Sequence, residues 1–113
     1  MITLDALREY GANVDEAIAR CYGNEELYLK LVGMVFEEAN FDRLKETIEA
    51  GDLDGAFEAA HALKGVLGNL SLTPMQTPAT EITEHLRAKE DADYETLLKE
   101  LFDQKDRLQQ VIA

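Results

Sequence analysis

The chain has 113 residues, 46% of them hydrophobic and 30% charged, with 23 acidic side chains against 11 basic ones and a net charge of −12. That balance argues against nucleic-acid binding, which needs a basic footprint to displace counterions from phosphates, and against docking on an anionic membrane. It fits a protein partner carrying a basic patch, or simply a soluble surface. A chain of this length buries roughly two thirds of its surface on folding and is expected to form one domain over residues 1–113.

A lone cysteine, Cys21, excludes an internal disulfide. It stands at helical spacing from Val14, Ala17 and Ile18, which makes it a packing residue. Met1-Ile2-Thr3-Leu4-Asp5 turns acidic before any apolar core develops, and no apolar run approaches the roughly 20 residues that span a bilayer. The expected location is the cytoplasm.

The apolar period is three to four almost throughout, with no β alternation. Thr3 is placed to cap a first short helix that Gly11 ends, and Asn13 with Glu16 opens a second, closed by Gly23. Asn24 then caps a long segment reaching about Ala50, with Leu27, Tyr28, Leu31, Val32, Val35, Phe36, Phe41, Leu44 and Ile48 as its apolar positions. Its length exceeds the usual helix of about 11–12 residues, and a kink is expected near Asn40.

Gly51 ends that segment and Asp52 caps the next helix, whose stripe is Leu53, Phe57, Ala60, Leu63, Leu67 and Leu70. Thr73-Pro74-Met75-Gln76 has the form of a cap, a proline at the first helical position and a glutamine closing the box. Pro78 removes a hydrogen bond one turn later, so this helix either bends early or begins at Thr77. Met75, Ala79, Ile82 and Leu86 form its apolar face. Asp91 or Asp93 starts a last helix running through Leu97, Leu98, Leu101 and Leu108. Four long segments with short connections predict an all-α, up-down four-helix bundle, with the short extra N-terminal helices at one end.

The segment Ala60-His61-Ala62-Leu63-Lys64-Gly65-Val66-Leu67-Gly68-Asn69-Leu70 departs from ordinary helix chemistry. It accepts two interior glycines, each costing roughly 1 kcal/mol relative to alanine. At about 100° per residue, His61 falls roughly 120° from the centre of the apolar stripe, on the solvent side. Gly65 and Gly68 share its face, and Lys64 lies between that face and the core edge. Neutral imidazole is a nucleophile, since the ordinary pKa of the group, about 6.5, leaves it mostly unprotonated at cellular pH. A cation one turn away offsets the charge of a phosphoryl group attached to it. Glu58, one turn earlier, is a candidate for orienting the ring. The glycines raise this set above an incidental surface histidine beside a lysine.

This stretch resembles the signature of histidine-containing phosphotransfer (HPt) domains, helical bundles that relay phosphoryl groups between receiver-domain aspartates. The likeness extends to Asn24-Glu25-Glu26-Leu27-Tyr28 leading into the apolar run from Leu31 to Phe36, and to Met75, Ala79 and Ile82 in the following helix. Ser71 stands where the family commonly has another glycine. The resemblance implies that His61 is the phosphoacceptor and Lys64 the phosphate-stabilising cation, with Gly65 and Gly68 the small residues that let a partner close. The implied partners are response-regulator receiver domains and a hybrid sensor kinase. Magnesium is expected on the receiver, with no cofactor or metal on this chain. The carrier is expected to be monomeric, and Met1 directly ahead of the first helix favours a free-standing protein.

No Gly-x-x-x-x-Gly-Lys-Ser/Thr phosphate loop occurs, and there is no room for a kinase domain, so the chain reads as a carrier and not an enzyme. Two other classes of function are open to an acidic helical bundle. An acidic interaction module would need no particular residue at position 61. A bundle metal site built from Glu58, His61, Glu81 and His85 would need these residues to point inward, whereas they lie off the apolar stripe.

Overall fold

In the computed structural model, which describes residues 2–112, the chain is all-helical, and no strand occurs among the described residues. The order is α1 (Leu4–Tyr10), α2 (Val14–Arg20), α3 (Glu25–Met34), a 3-10 turn (Val35–Glu37), α4 (Asn40–Glu49), α5 (Leu53–Asn69), α6 (Thr73–Arg87) and α7 (Tyr94–Ile112). The molecule measures 40 × 26 × 19 Å.

Most helix starts are set by local side chains. Thr3, Asn13, Asn24 and Asp52 each accept a hydrogen bond from a backbone N–H in the first turn of the helix that follows, satisfying a donor the helix cannot pair itself. Asp93 does the same for α7 by accepting from the Thr96 N–H at 3.1 Å. Gly11, Gly23 and Gly51 terminate their helices with φ of 114°, 80° and 74°, a region open mainly to glycine.

Helices α4 to α7 form the up-down bundle. Cross-links between α4 and α5 (Arg43 to Glu58) and between α5 and α6 (Lys64 to Glu84) run in the antiparallel sense. The ring is closed where Phe41 of α4 meets Phe102 of α7 edge-on, centroids 6.0 Å apart, with the Lys105 ammonium over both rings. Ala56, Ala59, Ala60, Leu63 and Leu67 of α5, Met75, Ala79 and Ile82 of α6, and Leu101 and Leu108 of α7 are buried in the shared core. The N-terminal helices cover one end. The Tyr10 hydroxyl donates to the Gln104 carbonyl of α7 (3.0 Å) and that of Tyr28 to the Leu70 carbonyl at the end of α5 (2.9 Å).

Four expectations change. The long segment from Asn24 is two helices and not one kinked rod: the chain turns extended at Glu38 (ψ 114°), and α4 starts afresh at Asn40. Leu27 and Leu53, read as apolar-face residues, are 39% and 47% exposed; each sits in the first turn of its helix. Thr73 is not a cap but the first residue of α6, and Leu72 precedes it with no side-chain cap. Lastly, α6 does not begin at Thr77: it starts at Thr73 and takes Pro78 inside, where the ring is buried.

Candidate functional site

The site is the outer face of α5. His61 is exposed there, while Ala60 beside it is fully buried, so the backbone under the imidazole is fixed by the core. The ring stacks on Phe57, one turn earlier, with centroids 5.7 Å apart and planes 30° from parallel. On the α6 side the Arg87 guanidinium lies over the Phe57 ring, 5.2 Å from its centre. The imidazole is thus held by aromatic packing. Glu58 does not hold it: its carboxylate turns away to Arg43 of α4, 2.8 Å distant.

Lys64 stands one turn beyond His61, partly exposed, and its ammonium donates to Glu84 Oε1 of α6 at 3.2 Å. The other oxygen of Glu84 accepts from Arg87 Nε at 3.3 Å. The Lys64 hydrogen bond, with the Arg87 charge adding to it, holds the Glu84 carboxyl below the usual carboxylate range.

The two glycines are not equivalent. A Cβ on Gly65 would meet nothing within 4 Å, so the backbone there faces open solvent. A Cβ on Gly68 would come 3.1 Å from Gln76 Nε2, so that space is taken by a side chain of this chain. His61, Lys64, Gly65, Gly68 and Gln76 line a shallow cleft of about 330 Å³. Arg20 of α2 closes its far end, donating from Nη1 to the Gly68 carbonyl (2.8 Å), the Asn69 carbonyl (3.3 Å) and Ser71 Oγ (2.8 Å), and pairing with Glu16 through its other nitrogen. Beside the cleft, across Val66, runs an apolar groove lined by Leu31, Met34, Val35, Val66 and Leu70. Met34 is 51% exposed within it.

His85 lies apart from this set, its Nδ1 3.3 Å from Glu90. Among the described residues no three His, Cys, Asp or Glu side chains are grouped to hold a metal ion. No described helix is long and apolar enough to cross a membrane.

Sequence reasoning did not find Arg20, Gln76, Glu84 or Arg87. Arg20 belongs to another helix, and nothing local connects it with α5. Gln76 has a competing use in the capping-box pattern. Glu84 and Arg87 carry a weak signal, opposite charges three apart on one helix face. Folding α6 back on α5 about residues 70–72 brings that face opposite Lys64 and Phe57.

An exposed, ring-stacked imidazole beside an ammonium, with bare backbone one turn on, can accept a group from a donor presented by a second molecule. Residues 30–112 match the family model described as Hpt domain. No curated protein and no solved structure gives a significant match.

Proposed function

Because this chain belongs to the Hpt domain family, whose members are phosphocarriers in phosphorelays without kinase activity of their own, we propose that His61 is its phosphoacceptor and that it exchanges the group with receiver-domain aspartates. The observation that carries this reading is the exposed His61 imidazole seated on Phe57 with Lys64 one turn away. A neutral ring nitrogen attacks phosphorus. The bond from phosphorus to the aspartyl oxygen breaks, its electron pair leaves with the carboxylate, and the proton on the other ring nitrogen stays in place. The reverse transfer retraces the same path.

Phosphoryl transfer of this kind needs mainly positioning and charge neutralisation. Lys64 supplies a cation on this side, and the receiver supplies magnesium and its own acidic site. Gly65, bare and open, is the closest-approach point for the partner backbone. The neighbouring apolar groove around Met34 and Val66 is continuous with that face and gives a receiver helix an apolar seat. A hybrid sensor kinase is the donor class that fits such an exchange, and one copy of the chain suffices for it.

The test is incubation with a phosphorylated receiver. Label that is acid-labile and base-stable is expected on the wild-type chain and is expected to be absent from His61→Gln. Label persisting in that variant would overturn the assignment. The rival reading, an interaction module without chemistry, predicts no label on either protein.

A further inference from the structure

Among the described residues, Glu84 is the one acidic side chain paired with both Lys64 and Arg87. Its two oxygens are used separately, Oε1 by the Lys64 ammonium at 3.2 Å and Oε2 by Arg87 at 3.3 Å. Lys64 lines the same cleft as His61, and Arg87 covers the ring on which His61 stacks. One carboxylate on α6 therefore pairs with both the lysine that lines the His61 cleft and the arginine that covers the Phe57 ring. The pair is half exposed, 34% for Lys64 and 51% for Glu84, so it is readily exchanged.

A phosphoryl group brings about two negative charges and three acceptor oxygens, and it is a stronger partner for an ammonium than a lone exposed carboxylate. We propose that Glu84 is a placeholder for the phosphoryl group: it holds Lys64 beside His61 in the unphosphorylated carrier, gives the lysine up when His61 is phosphorylated, and so slows loading. Glu84 is on this account a positioning residue acting through Lys64. The inference rests on His61 being the phosphoacceptor. The depressed Glu84 carboxyl agrees with it, since the side chain stays ionised, and competing, across the neutral range.

Phosphoramidate tests the idea without a protein partner, its P–N bond breaking as ammonia leaves and the new bond to imidazole forms. The full chain is labelled at low ionic strength and the rate of phosphohistidine formation is followed. Glu84→Gln keeps an oxygen to accept from Lys64 but removes the competing charge. It is expected to label roughly two- to five-fold faster, the scale of an exposed ion pair.

The acceleration is expected to vanish in a Lys64→Ala background. It is also expected to be absent from Glu81→Gln, which removes a charge from an exposed position one turn earlier on α6. No acceleration, equal acceleration without Lys64, or equal acceleration from Glu81→Gln would each overturn the proposal. If instead the wild type takes no label, or label remains in His61→Gln, the phosphoacceptor assignment fails first and the two failures are told apart.

Discussion

On the proposed reading, the chemistry of His61 depends on neighbours that serve different ends. Phe57 stacks on the ring, and Lys64 provides a partly buried positive charge. A hydrogen bond to a charged group contributes about 1.5–3 kcal/mol, and one lost from the transferring phosphoryl group is taken to cost at the lower end of that range. Lys64→Ala is therefore expected to slow transfer from a phosphorylated receiver roughly ten-fold or more, read as the single-turnover rate, while the melting temperature stays near that of the wild type. Gly65 makes the opposite case. Its helix would gain up to about 1 kcal/mol from alanine, because nothing opposes the added methyl. Gly65→Ala is thus expected to raise the urea midpoint and to slow receiver transfer more than phosphoramidate labelling. Equal slowing of both reactions would mean that the glycine serves the ring and not the partner.

Among the elements, α5 carries the site, and its C-terminal end is finished by a distant residue. Arg20 of α2 donates to two of its last carbonyls and to Ser71 Oγ, so a guanidinium replaces the usual glycine termination and adds a positive charge at the negative end of the helix. Ser71 follows at φ 53°, a left-handed conformation that costs a non-glycine residue about 1–2 kcal/mol. It stands where the family commonly has glycine, and the Arg20 bond offsets the difference. Arg20→Ala is expected to lower stability by about 1–2 kcal/mol in urea unfolding, with Arg20→Ala/Ser71→Gly partly restored. These long-range ties are what sequence reasoning could not reach. Caps and apolar periods lie within one turn, and they placed α1, α2, α5 and the starts of α3 and α7. The break before α4 depends on Glu38 turning extended, with no glycine or proline to signal it. That His61, Lys64 and Gly65 share one face was legible because they lie on one helix. Glu84, Arg87 and Gln76 became part of the site only when α6 folded back on α5.

For the molecule as a whole, two phenols join the N-terminal helices to the bundle. Tyr10 ties α1 to α7, with Arg107 donating to the Tyr10 carbonyl at 2.9 Å and lying over its ring, and Tyr28 ties α3 to the end of α5 beside the site. Both side chains are buried, and desolvation pushes the Tyr28 hydroxyl up to about 12 and that of Tyr10 higher still. A folded-state pKa above the unfolded value of about 10 favours the protonated form in the fold. The stabilisation is therefore complete below pH about 10 and is lost as pH rises toward the folded values, at about 1.4 kcal/mol per pH unit for each phenol. Ionised phenolates would also add to a chain already at −12. Urea midpoints measured from pH 7 to 12 are expected to stay level until about 10 and then fall steeply, with late tyrosinate absorbance from these two rings. Tyr28→Phe removes one hydrogen bond, at about 1 kcal/mol at neutral pH, and removes one of the protons that drive the alkaline loss. Its midpoint should start lower and decline less steeply. A decline as steep as in the wild type would place the alkaline weakness elsewhere in the fold.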